Sequence, residues 1–155
     1  MDGRVLLMLS TNGDEEPRFQ IGTHLGTQQI FGANVDALAP GEAAVIDGAA
    51  LGYPRETLAD IPPGEYYVQA LVNVYETFHR ADGHVVKLPM DDGEGQLWES
   101  SPGNLYSTPK KVFVDPASTQ AIQLQLTEVV PPIDPEMAPT PPVKPTIAMT
   151  QTPWQ

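Results

Sequence analysis

The sequence predicts an all-β domain, and three observations support this prediction. Residues 66–79 form a long run in which Tyr66, Val68 and Val72 alternate with more polar residues. Successive side chains of a strand point to opposite faces, so the run predicts a half-buried central strand. The Asp82-Gly83 pair after this run is typical of a β-hairpin turn. Helical periodicity is almost absent from the rest of the chain.

The other elements are predicted by the same reasoning, taken in chain order. A helical turn is predicted within residues 53–60, with Thr57 as its cap. Strands are predicted over residues 3–10, 31–37, 43–47, 84–88, 111–115 and 119–129. About seven short antiparallel strands separated by turns predict an immunoglobulin-like β-sandwich over residues 1–130. A lipocalin-like barrel is the alternative.

One long segment between the predicted strands has no strand period. Residues 89–109 contain several glycines and prolines, and loops of this length within a compact domain are usually functional or disordered. The segment also carries Trp98, Leu105 and Tyr106. We therefore expect it to pack against the domain.

The C-terminal segment, residues 131–155, holds eight of the 17 prolines. Proline lacks a backbone donor, so the segment is expected to be an extended or polyproline II arm. A passive linker is the alternative. Spaced apolar residues favour an arm that binds a protein partner, and the predicted contact residues are Pro132, Ile133, Met137, Pro142, Val143, Ile147, Met149 and Trp154.

Charge and composition exclude several classes of function. Eight basic and 20 acidic residues give a net charge of −12. Nucleic acid and anionic lipid surfaces require clustered basic residues, and the densest cluster is the pair Lys110-Lys111. We interpret the acidity as a solubility feature, with attraction of a basic partner as the alternative.

The sequence also argues against a membrane span and a thiol site. Its best apolar run, Val5 to Leu9, is too short for a spanning helix or a signal peptide. We therefore expect the chain to begin at or near a mature domain. Because cysteine is absent, a disulfide framework and thiolate metal ligands are excluded.

Motifs for catalysis are lacking, so no catalytic residue, no cofactor and no enzymatic activity are predicted. The sequence has no Gly-x-Ser-x-Gly elbow and no phosphate-binding glycine loop. His24, His79 and His84 have no accompanying signature. Oxygen ligands on a flexible loop suit calcium, which makes Asp91, Asp92 and Glu94 the best metal candidates. Because their spacing is not that of an EF-hand, we interpret them as a solvated acidic loop.

Aromatic residues suggest one further binding site. Trp98 and Tyr106, together with Tyr75 and Phe78, could form a platform for a sugar or a peptide. Aromatic residues in such domains more often pack the core or its loops, which is the interpretation that we favour here.

Many short runs of this chain resemble the N-terminal β-sandwich domain of some bacterial putative esterases. The matching runs cover roughly residues 3–130 and include residues 16–20, 27–32, 52–54, 60–70, 75–83, 93–96 and 102–107. The resemblance implies the sandwich fold and an exported, periplasmic or extracellular protein, while a cytoplasmic location stays open. It implies no catalytic residue, because the catalytic apparatus of those esterases lies in a hydrolase domain, whereas this chain continues as the proline-rich segment.

Three functions are compatible with these observations, in order of support. The first is a non-catalytic interaction or structural subunit that docks on a larger protein assembly through its sandwich and its arm, with a membrane-associated complex as one alternative for that assembly. The second is the carbohydrate- or substrate-binding accessory domain of an exported esterase. The third is an independent enzyme, for which the sequence displays no site.

Overall fold

The computed structural model describes residues 1–134, and its strands form one antiparallel sheet. Two 3₁₀ helices, Pro17–Gln20 and Leu58–Asp60, accompany the sheet, and no α-helix occurs in these residues. The strands are β1 (Asp2–Ser10), β2 (Gln29–Val35), β3 (Gly52–Tyr53), β4 (Gly64–His79), β5 (Val85–Pro89), β6 (Leu105–Tyr106), β7 (Lys110–Val114) and β8 (Glu128–Val129).

Strand β4 organises the sheet, whose order is β3-β2-β1-β4-β6-β8. Strand β1 pairs with residues 67–75 of β4. Strands β7, β6 and β5 pair with successive segments of β4, namely residues 64–68, 71–72 and 75–79. The all-β class is therefore confirmed. The immunoglobulin-like sandwich is not confirmed, because every strand of residues 1–134 joins the same sheet.

Apolar side chains cover both faces of the sheet. One face carries the cluster of Leu9, Phe31, Ile61, Tyr66, Val68 and Val114. The opposite face carries the cluster of Leu6, Met8 and Leu71, against which Trp98 and Tyr106 pack. The second 3₁₀ helix covers the first cluster through Leu58, and a loop covers the second cluster through Ile21.

The centre of β4 is buried on both faces, which corrects the expectation of a half-buried strand. Residues 68–73 are all buried, including the polar side chains of Gln69 and Asn73. Their alternation with apolar residues suggested a solvated face. Loops cover that face instead, and they hydrogen-bond to the two amide side chains.

Two side chains of the long loop complete the hydrogen bonding of β4. Between the segments paired with β6 and β7, the Ala70 N–H donates to Ser107 Oγ at 3.0 Å, and the Ser107 N–H donates to the Ala70 carbonyl. Beyond β6, the Val74 N–H donates to Asn104 Oδ1 at 2.9 Å. The segment over residues 90–109 is thus attached to the central strand, as its apolar residues predicted, although it also contains the two-residue strand β6 that the sequence did not predict.

One predicted local element, a helical turn, is confirmed by the structure, and two predicted strands need correction. The helical turn capped by Thr57 is confirmed, because the Thr57 N–H donates to Asp60 Oδ2 at 3.1 Å in a capping box. The strand predicted over residues 43–47 is wrong, since the segment belongs to an irregular connection. The strand predicted over residues 119–129 is reduced to β8.

Candidate interaction surface

The outer edge of β7 is the most distinctive open feature of the described chain. β7 pairs with β4 through five residues, and no strand of residues 1–134 pairs with its other edge. An open cleft of about 640 Å³ separates β7 from residues 118–123. Unpaired strand edges present rows of backbone donors and acceptors, so this edge is available to another extended chain.

Exposed apolar and charged side chains surround the cleft. Phe113 is 64% exposed and Ile122 is 43% exposed, and both line the cleft. Lys110 lies at one end and Asp115 at the other. Lys111 forms an ion pair with Glu65 at 3.2 Å. The surface thus combines a hydrogen-bonding edge with apolar contacts and flanking charges.

The predicted loop site, Trp98 and Tyr106, lies in the second apolar cluster. Both residues pack beside Leu71 and Met8 as partly buried side chains. The Arg18 guanidinium lies 3.9 Å from the centroid of the Tyr106 ring, which covers one face of that ring. In this arrangement the two aromatic residues contribute packing area, and a flat, open platform is not formed.

A buried polar network next to these aromatic residues was not expected from the sequence. Gln69 is fully buried, and its Nε2 donates to Glu16 Oε2 at 2.7 Å and to the Ser107 carbonyl at 2.9 Å. Its Oε1 accepts from the Arg18 N–H at 3.0 Å. Arg18 in turn donates to Glu16 and to the Glu99 carbonyl. The network ties two loops to β4.

The sequence held only a weak signal for this network. Gln69 interrupts an otherwise apolar stretch of β4, but a polar residue on a predicted solvated face needs no buried partner. Arg18 is distant in sequence, so its pairing with that position depends on tertiary structure. A polar residue flanked on both sides by buried apolar positions is the only local indication.

The acidic side chains of the loop around residues 91–95 accept hydrogen bonds from backbone N–H groups of the same loop. Asp91 Oδ1 accepts from the N–H groups of Gly93 and Gly95, at 2.9 and 3.3 Å. Glu94 Oε2 accepts from the Asp92 N–H at 2.8 Å. Within residues 1–134 no three acidic or histidine side chains converge in a metal-binding group. Asp91 and Glu94, two of the three metal candidates, therefore form turn hydrogen bonds in this structure.

The two hairpin histidines do not lie opposite each other in the strand ladder. His79 is paired with Val85 in the β4–β5 ladder, and His84 Nδ1 lies 3.2 Å from Asp82 Oδ1. The Asp-Gly turn itself is confirmed between β4 and β5.

The base of the predicted arm is anchored in the sheet. The Val130 N–H donates to the Asn104 carbonyl, and the Gly103 N–H donates to the Val130 carbonyl, each at 2.9 Å. Ile133 lies beside the acidic loop, because its Cδ1 atom is 3.5 Å from the position that a Cβ atom on Gly93 would occupy. Pro132 is exposed. The predicted contacts Met137, Pro142, Val143, Ile147, Met149 and Trp154 lie outside the described residues.

A three-residue ion cluster joins the β5 hairpin to the start of β1. Lys87 Nζ lies 2.7 Å from Asp36 Oδ1 and 3.2 Å from Asp2 Oδ2. The Ala37 N–H donates to Asp2 Oδ1 at 2.7 Å, and this bond, followed by Lys87, holds the pKa of Asp2 below its ordinary value. The hydrogen bonds that Lys87 donates to Asp36 and Asp2 raise the pKa of Lys87.

Lys87→Met should raise the pKa of Asp2 but leave it below the ordinary value, because the Ala37 N–H remains. An NMR titration of the Asp2 carboxyl carbon measures this. At pH values above its unfolded-state pKa, the ionised Asp2 stabilises the fold. This contribution disappears as the pH falls through the lowered folded-state pKa of Asp2. Lys87→Met should therefore weaken the acid dependence of stability. Lys110→Met is the control, and an unchanged Asp2 titration in Lys87→Met would contradict the assignment.

No protein-family model, curated protein or solved structure matches this chain in the comparisons. The resemblance to esterase N-terminal domains stays a prediction. Within the described residues, no helix has the length and apolar character needed to cross a membrane.

Proposed function

We propose that this chain is a non-catalytic interaction subunit that docks on a larger protein assembly through its sheet and its C-terminal arm, residues 131–155. The observation that carries the proposal is the unpaired outer edge of β7, with Phe113 exposed beside it. An edge of this kind accepts an extended segment of a partner through main-chain hydrogen bonds, while neighbouring side chains provide specificity.

The arm supplies a second contact with the same partner. Its base is held by Val130, so the arm leaves the sheet from a fixed point. Proline limits the backbone entropy lost on docking because its φ is already restricted. Attraction of a basic partner, the alternative interpretation of the net charge of −12, is compatible with this docking. We place the assembly in the periplasm or outside the cell, on the basis of the resemblance alone.

Deleting residues 131–155 should weaken the assembly without unfolding the sheet, because the hydrogen bonds of Val130 stay in place. The complex is first isolated with the full chain from its native source in mild detergent, and its partner is identified by mass spectrometry. Binding of that partner is then measured for the full chain and for the truncated chain. The free energy of unfolding should change by less than about 0.5 kcal/mol, as for other surface changes.

A matched control replaces residues 135–155 by a glycine-serine segment of equal length. This variant should lose affinity like the truncation, because it lacks the apolar residues of the arm. A chain ending at Val130 that assembles with full affinity would contradict the proposal.

A second candidate function, favoured by the resemblance over residues 3–130, is the accessory domain of an exported esterase. The two functions differ in whether a hydrolase domain is joined to the sheet. A reading frame that continues beyond Gln155 into a Gly-x-Ser-x-Gly region would favour the accessory domain, and glycan binding would then be tested.

A further inference from the structure

We infer that the outer edge of β7 is a strand-acceptor site that residues 120–124 of the same chain occupy in a closed state and leave vacant in an open state, which is the state of this structure. We call residues 120–124 the latch. In the open state the latch forms no strand and lies across the cleft of about 640 Å³ from β7. This inference goes beyond the proposed function, because it concerns what controls access to the edge.

The pairing of β8 with β6 directs the preceding residues of the chain, the latch, along the outer edge of β7. β8 pairs with β6 in an antiparallel register that sets Leu105 opposite Val129 and Tyr106 opposite Glu128. β7 comes after β6 along the same edge of β4, and the latch precedes β8 in the chain. Continuing the β6–β8 register along both segments places Ile122 opposite Val112. The closed state therefore extends a ladder that is already present.

The pattern of side chains supports the same register. Leu124 already packs against the apolar cluster that contains Val114 and is flanked by Val112. Residues two apart in a strand share a face, so Ile122 would face that cluster once the latch is extended along β7. Ile122 is 43% exposed in the open state, and closure would bury it beside Val112. The alternation of Ile122, Leu124 and Leu126 with glutamine is typical of such a strand.

A turn suited to a hairpin connects the two segments. The Ser118 N–H donates to the Asp115 carbonyl at 2.9 Å, and the Ala117 N–H donates to Asp115 Oδ1 at 3.0 Å. Aspartate before proline at the start of a turn is a common combination. The turn thus returns the chain toward β7 in the open state, so closure requires movement of the latch without refolding of the turn.

The two states differ in what they present to other proteins. In the closed state the latch satisfies the outer backbone groups of β7, which protects the edge from non-specific strand pairing. In the open state the same groups are available to an extended segment whose alternate side chains are apolar. A partner strand and the latch would compete for one edge, so a partner binds only after the latch has opened.

Engineered cysteine pairs in the full chain test the closed state, and the chain suits this test because it contains no cysteine. Opposite residues of an antiparallel pair have Cβ atoms close enough for a disulfide. We expect the double variant Val112→Cys, Ile122→Cys to cross-link rapidly under mild oxidation. Non-reducing electrophoresis and intact-mass measurement monitor the reaction.

Register-shifted pairs provide matched controls. Val112→Cys combined with Ala121→Cys or Gln123→Cys places the second thiol on the opposite face, so both pairs should cross-link at least about tenfold more slowly. The Gln123 pair also tests whether the latch pairs with β7 in a register shifted by one residue. This control is needed because the register in which β7 pairs with β4 differs by one residue from that in which β6 pairs with β4. Equal cross-linking rates for all three pairs would overturn the inference, and so would the absence of cross-linking in all three.

Hydrogen exchange on the unaltered chain keeps the inference testable if a cysteine pair prevents folding. Amides of residues 120–124 should exchange at least about tenfold more slowly than in an unstructured peptide, because the closed state protects them. Exchange at unstructured-peptide rates throughout the latch would overturn the inference.

Discussion

Replacing Gln69 with leucine is expected to lower the free energy of unfolding by roughly 3–5 kcal/mol, a large effect for one substitution. The side chain is 0% exposed, and its three hydrogen bonds join β4 to the first 3₁₀ helix and to the long loop. Leucine has a similar size but leaves the buried Arg18 N–H and the Ser107 carbonyl without this partner, whereas Glu16 keeps its hydrogen bond from Arg18 Nε. Each unsatisfied buried group costs about 1–3 kcal/mol. Urea denaturation monitored by tryptophan fluorescence measures the change.

Gln125→Leu is the matched control, because that glutamine is exposed. Its free energy of unfolding should stay within about 0.5 kcal/mol of the unaltered chain. If Gln69→Leu were as stable as this control, the polar network would not hold the loops on the sheet.

The second large effect is expected for Phe31→Ala, which should destabilise the fold by about 3–5 kcal/mol. Phe31 lies in β2, is 1% exposed and packs in the cluster with Leu9 and Val68. Removing its ring loses buried apolar area and leaves a cavity that the sheet cannot fill, since strand pairing fixes the surrounding backbone. Denaturant midpoint and slope, measured together, report the loss.

Phe113→Ala changes the same residue type at the β7 edge and serves as the control. Because Phe113 is 64% exposed, the truncation should leave stability within about 0.5 kcal/mol. The proposed function predicts that Phe113→Ala weakens partner binding. Phe31→Ala thus reports on the stability of the fold, whereas Phe113→Ala reports on docking. Equal destabilisation by both substitutions would show that the β7 edge is part of the core.

Local sequence patterns predicted the strands whose residues form an uninterrupted apolar run or alternate strictly. β1, β4, β5 and β7 have apolar runs or strict alternation, and the Asp-Gly turn fixes the β4–β5 hairpin. Thr57 has the residue type and spacing of a helix cap, and the structure confirms it. The predicted strand over residues 43–47 failed because its short apolar run packs through Ile46 alone, outside any strand ladder.

The long-range features required the three-dimensional structure. Alternation cannot distinguish a solvated face from one covered by loops, so the burial of Gln69 and Asn73 was missed. Residues 119–127 carry a strong strand pattern, yet a strand also needs a neighbour at hydrogen-bonding distance. The free edge of β7 depends on how all the strands are ordered, which no single segment of sequence encodes.

The roles of Asn104 and Ser107 have a consequence for how the long loop can change in evolution. Each provides a side-chain oxygen at a place where the sheet would otherwise use a peptide carbonyl. The loop can therefore vary in length and composition before Trp98, which packs on the second apolar cluster, whereas positions 104 and 107 accept only short residues with an acceptor oxygen. Side-chain chemistry at two sites, and not overall loop sequence, is what related chains would have to share in order to keep β4 fully paired.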